Sequence, residues 1–181
     1  MQSVKFKNKN LVDDLYNLSK GYVITSERYW DGGYSVDATL KEKLEFYSYA
    51  TIFSDIIKKI IHSFGDNAII GHSICEHNRL FASWKDIKNF DCYNNLLCYI
   101  NRKQDYKLTA NDLDVIDFVV ENDFRYFSFI DFYIPKFNFI LQPTCHTEVI
   151  IYSNDYDSLI PSITEIVNQY ENISVKELDL Q

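Results

Sequence analysis

Between Asp37 and Phe64 the chain reads DATLKEKLEFYSYATIFSDIIKKIIHSF, with neither Gly nor Pro before Gly65. Leu40, Leu44, Tyr47, Ala50, Phe53, Ile57, Ile60 and Phe64 recur at spacings of three or four, the period of one buried helical face. The stretch predicts one long helix. Asp37 is its expected N-cap, with a carboxylate suited to the positive end of the helix dipole, while Lys58, Lys59 and His62 lie towards the negative end. At about 1.5 Å rise per residue the helix would be roughly 40 Å long, enough to cross a small domain as its spine. Its polar face, with Lys41, Glu42, Glu45, Lys58 and Lys59, is mixed in sign and reads as scaffold rather than site.

A spine of this length suits one domain spanning residues 1–181, and no Pro-, Gly- or Ser-rich linker divides the chain. Around it the sequence predicts shorter elements. Val4 to Lys7 reads as a strand, Leu11 to Ser19 as a helix with Leu11, Leu15 and Leu18 on one face, and Tyr22 to Ser26 as extended. Asp31-Gly32-Gly33 offers the positive-φ positions of a tight reversal, after which Tyr34 to Val36 would pair back. Ala68 to Ile70 reads as a short strand, Leu80 to Ile87 and Cys92 to Arg102 as helices, and Lys103 to Lys107 as a charged connection. Thr109, with Asp112 at capping-box spacing, opens a helix whose apolar stripe is Leu113, Ile116 and Val120.

Further on the period changes. Tyr126 to Ile134, Phe137 to Leu141 and Glu148 to Tyr152 predict an antiparallel meander, separated by Pro135-Lys136 and Gln142-Pro143-Thr144. The first shows no clean alternation, so at least one strand should be covered on both faces. Asp155 to Tyr170 predicts a helix started late or kinked by Pro161, and Ile173 to Leu180 a half-exposed strand. The expected class is α+β: an antiparallel sheet, mainly from the C-terminal half, packed on the long helix at about 37–64 and several shorter helices.

Composition narrows the function. The 26 acidic against 18 basic side chains leave a net charge of -8, which argues against a nucleic-acid binder and suits a basic partner. With 13 Phe, 14 Tyr and 2 Trp, the Tyr hydroxyls exceed what a core can satisfy, so some rings should stand at a contact surface. MQSVKFKNKN leads into LVDDLYNL, whose aspartates interrupt any signal-peptide core, and no apolar run reaches membrane-span length. A cytoplasmic chain is expected, with no membrane association and with Cys75, Cys92, Cys98 and Cys145 reduced. Asn17-Leu18-Ser19 and Asn172-Ile173-Ser174 would then be idle as glycosylation patterns.

Three groups could carry chemistry. His72, Cys75 and His77, completed by Cys145 and His146, make a possible metal set, but the spacing matches no recognised zinc pattern and polar loop residues are the plainer reading. Cys145, His146 and Glu148 supply nucleophile, base and acid types, yet alternation along a strand sends neighbours to opposite faces and leaves His146 and Glu148 as a polar pair. No phosphate-binding glycine motif is present, and neither metal nor cofactor is expected. The third group is acidic. Asp114, Asp117 and Glu121 stand at i, i+3 and i+7 on one helical face with Asp112 and Asp123 at its ends, and no Lys or Arg lies between Asp112 and Glu121. It reads either as a solvated face that keeps an aromatic-rich chain soluble or as a docking surface.

A small, acidic, aromatic-rich α+β chain carrying SERYWDGGYSVDATLKE into its long helix and FYIPKFNFILQPTCHTEVIIYS in its sheet resembles the immunity proteins of bacterial polymorphic toxins and contact-dependent inhibition systems. The resemblance implies a protein that binds a cognate toxin domain and covers its active site, often with acidic groups facing a basic nuclease cleft. Asp112, Asp114, Asp117, Glu121 and Asp123 are then the expected partner-facing acids, and Tyr29 and Tyr34 the expected aromatic anchors. Trp30 is expected to pack on the long helix instead. The alternatives are a small enzyme using a His/Cys pocket at the end of the sheet, and a self-associating structural subunit. The sequence leaves the oligomeric state open.

Overall fold

A computed structural model describes residues 2–6, 9–35, 37–71, 79–80, 105–109, 112–126 and 128–180. The helices predicted at Leu80 to Ile87 and Cys92 to Arg102 lie outside them, except for Leu80. Strands β1 (Gln2–Val4), β2 (Lys20–Ser26), β3 (Asn67–Gly71), β5 (Asp105–Thr109), β7 (Phe132–Ile134), β8 (Phe139–Thr144), β9 (Glu148–Ser153) and β10 (Ile173–Asp179) form one eight-stranded sheet in the order β1-β5-β3-β7-β8-β9-β2-β10. Its pairings are antiparallel. A separate ribbon joins β4 (Arg79–Leu80) to β6 (Ser128–Phe129). Helices α1 (Lys9–Tyr16), α2 (Leu40–Ser63), α3 (Leu113–Phe124) and α4 (Tyr156–Val167) complete the described elements. The class is α+β. No helix among the described residues is long and apolar enough to cross a membrane.

The predicted meander is β7-β8-β9, and the two ends of the chain interleave with it: β2 sits between β9 and β10, and β3 sits against β7. Five of the eight strands come from the C-terminal half of the chain, as expected. Side chains alternate between two cores. Phe139 and Leu141 of β8 join Phe46, Phe53, Ile57, Ile60, Phe124, Ile163 and others beneath α2, α3 and α4, whereas Ile140 joins Val12, Leu15, Tyr133 and Tyr152 beneath α1. Helices thus cover both faces, which explains the missing alternation in this region.

The spine differs in detail. Its N-cap is Thr39, not Asp37: the Glu42 amide donates to Thr39 Oγ1 at 3.3 Å and the Thr39 amide donates to Glu42 Oε2 at 2.8 Å, a complete capping box. Leu40 and Leu44 are 73% and 59% exposed, and the buried stripe begins at Phe46. On α1, likewise, Val12 and Leu15 are buried while Leu11 is exposed. Tyr34 and Ser35 form no strand.

Three further departures have local causes. Residues predicted as a charged connection pair as β5 between β1 and β3, because Tyr106 and Leu108 are buried at alternate positions around Lys107. The predicted Tyr126 to Ile134 strand is broken between β6 and β7, where buried Asp131 accepts a hydrogen bond from the Tyr16 hydroxyl. Pro143 lies inside β8 opposite Val149, yet pairing with β7 ends at Phe132–Leu141, so no ladder bond to β7 is lost there. Helix α4 starts under the Asp155 cap and runs through Pro161.

Candidate functional site

The acidic face of α3 begins with a fixed turn. The Thr109 amide and hydroxyl both donate to Asp112 Oδ2 at 2.9 Å, and Asp112 is the N-cap residue of α3. From there Asp114 and Asp117 are exposed and Glu121 is half-buried, as spacing on one face requires. The face does not stand alone. Helix α2 packs beside α3, with Phe53 edge-on to Phe124 at 5.2 Å, and Lys58 Nζ reaches Asp117 Oδ1 at 2.5 Å. The repulsion expected along α3 is thereby partly relieved from outside the helix.

Between α2 and α3 lies a cleft of about 460 Å³, lined by Tyr47, Asp55, Lys58, Asp117, Glu121 and Tyr170 among others. Lys58 therefore belongs to the site, although the sequence read the polar face of α2 as scaffold. Tyr170 donates its hydroxyl to Asp55, and Lys59 lies 4.6 Å from the Tyr170 ring centre and 3.4 Å from Asp55. Burial, with the Asp55 hydrogen bond second, raises the Tyr170 hydroxyl above its usual range. Tyr47 is pushed up by burial and by its hydroxyl pairing with Tyr34 at 2.9 Å. Both phenols are neutral hydrogen-bonding groups at the cleft.

Asp123 is not on that face. It is fully buried, accepting hydrogen bonds from Ser128 Oγ and from the Ile130 amide, the latter at 3.1 Å. Its role is to tie the end of α3 to the segment entering β7. Burial, with a smaller contribution from Asp131, raises its carboxyl well above the ordinary value of 3.8. The folded state therefore holds this proton more tightly than the unfolded chain. The associated stability is full below about pH 4 and declines as pH rises through the raised folded value. Asp123→Asn can keep both partners, its carbonyl accepting from Ile130 and its amide donating to Ser128. Urea midpoints of this variant should fall less between about pH 4 and pH 8 than those of the parent. Equal pH dependence of the two would contradict a proton bound at Asp123.

The two tyrosines differ. Tyr29 is 63% exposed and stacks on His146 at 5.4 Å and 17°, its hydroxyl 2.7 Å from His146 Nδ1. Tyr34 is half-buried, edge-on to Phe46 at 5.4 Å with the Arg125 guanidinium 4.7 Å above its ring. Trp30 is buried edge-on to Phe46 at 5.8 Å, as expected of a residue packed on the long helix. Gly32 and Gly33 take the expected positive φ, 70° and 84°, and bend the chain, but among the described residues no strand pairs back beyond this reversal.

That reversal meets the β8–β9 turn. Its Gly32 amide donates to the Cys145 carbonyl at 2.7 Å, and Asp31 Oδ1 comes within 3.5 Å of His146 Nδ1. Cys145 is buried, and burial followed by the nearby Asp31 charge raises its thiol. Glu148, the acid suggested by sequence for a Cys145–His146–Glu148 group, instead accepts from Thr25 Oγ1 at 2.7 Å. Asp31 takes the place beside Cys145 and His146. Sequence reasoning missed it, because its partners are remote along the chain and its own segment reads fully as a turn. His72, Cys75 and His77 lie outside the described residues.

Comparison with family models, curated proteins and solved structures found no match.

Proposed function

We propose that this chain is an immunity protein that binds a cognate bacterial toxin domain in the cytoplasm and covers its active site through the α3 face. The observation that carries the reading is the cleft between α2 and α3, where Asp117 and Glu121 stand beside Tyr47 and Tyr170. Exposed Asp114 extends the acidic surface outward along the helix. Carboxylates fixed on a packed helix can occupy places that nucleic-acid phosphates take in a basic nuclease cleft. They steer association, while aromatic groups contribute buried contact. A Lys or Arg of the toxin entering the cleft meets Glu121 and competes with Lys58 for Asp117. The net charge of -8 and the resemblance of the sequence to immunity proteins support the same reading.

Bacterial cells expressing the toxin domain encoded beside this chain should survive when the chain is co-expressed, and the two proteins should purify as one complex. Death despite co-expression, or a gene neighbourhood without a toxin, would overturn the proposal.

A further inference from the structure

We propose that Asp31, Cys145 and His146 form a binding site for a divalent cation of the zinc class, at the junction of the Gly32–Gly33 reversal and the β8–β9 turn. One ligand atom from each residue lies within 4.8 Å of the others. Zinc bonds of about 2.0–2.3 Å place tetrahedral ligands roughly 3.5 Å apart, so small side-chain movements close the set. Asp31 and His146 have that freedom, with side chains 71% and 44% exposed, while buried Cys145 is the fixed member.

The backbone brings the three together before any ion arrives. The Gly32–Cys145 bond ties the two segments, and within the turn the Thr147 amide donates to the Thr144 carbonyl at 3.1 Å and the His146 amide to Thr144 Oγ1 at 3.3 Å. Tyr29, stacked on the imidazole, sets the plane of the ring. In the same turn Thr147, with φ of 59°, buries a hydroxyl that has no hydrogen-bond partner among the described residues.

Donor chemistry selects the ion. A thiolate, an imidazole and a carboxylate suit zinc, whereas calcium and magnesium favour oxygen ligands throughout. Binding forms the metal–sulfur bond as the Cys145 thiol releases its proton to solvent. Three protein ligands leave a fourth position for water or a side chain from another molecule. This goes beyond the toxin-binding reading and shares no residue with the α3 cleft.

The test titrates the metal-free full chain with Zn²⁺ by calorimetry and with Co²⁺ by absorption. One bound ion and a thiolate-to-cobalt charge-transfer band are expected. Cys145→Ser should abolish the band, and Asp31→Asn and His146→Ala should each weaken binding roughly tenfold or more. Asp31→Asn is the decisive variant, because an exposed substitution leaves the fold intact, as circular dichroism can verify. Absence of the band in the parent, or an affinity unchanged by Asp31→Asn, would overturn the site. An ion held elsewhere, for instance by His72, Cys75 and His77, gives the second of these results.

Discussion

Phe53→Ala is expected to cost about 3–5 kcal/mol of folding stability, the range for emptying a large aromatic site in a closed core. Phe53 is fully buried in α2, stands edge-on to Phe124 of α3, and belongs to the core shared with the sheet. Single domains are stable by only about 5–15 kcal/mol, so the variant should sit near the edge of unfolding. Leu44→Ala is the internal contrast. Sequence periodicity places Leu44 on the same buried face, but it is 59% exposed, and its loss should change stability by no more than about 0.5 kcal/mol. Urea unfolding of both variants checks the pair. Similar losses would mean that the packed face of α2 already includes Leu44 rather than beginning at Phe46.

The second large effect concerns binding. Replacing Asp114 and Asp117 together by Lys raises the net charge of -8 by four and reverses the sign of the exposed α3 face. Both side chains are exposed, and among the described residues the double variant loses only the Lys58–Asp117 pair, so the fold should hold. Association with a basic toxin domain should slow roughly ten- to a hundredfold at low salt, and its salt dependence should shrink. Asp13→Lys with Asp14→Lys is the matched control, making the same change of charge on exposed positions of α1, which covers the other face of the sheet. If both double variants slow binding equally, overall charge rather than the α3 face governs association.

How much of this was legible depends on whether the signal was local. The long helix, the positive-φ reversal at Gly32–Gly33 and the β7-β8-β9 meander each had a strong pattern within one segment. The capping box was also legible, since Thr39 and Glu42 have the required spacing, but Asp37 offers a competing capping side chain two residues earlier. Asp123 could have been placed correctly from helical geometry, because two residues beyond Glu121 is about 200° around the axis, away from the acidic face. The strand β5 was obscured because Asp105 and Lys107 make DYKLT look solvated, and only its place between β1 and β3 explains the burial of Tyr106 and Leu108. Lys58 in the cleft and Asp31 beside Cys145 depend on contacts between distant segments. No spacing along the chain can reveal those.

The most direct measurement is calorimetric titration of the chain and its Asp114→Lys/Asp117→Lys variant against the neighbouring toxin domain, at low and at physiological salt. Tight one-to-one binding by the parent, weakened in the variant together with its salt dependence, is the predicted result. No heat with the parent would contradict the proposed toxin-binding function, and equal affinity of parent and variant would remove the α3 face from it.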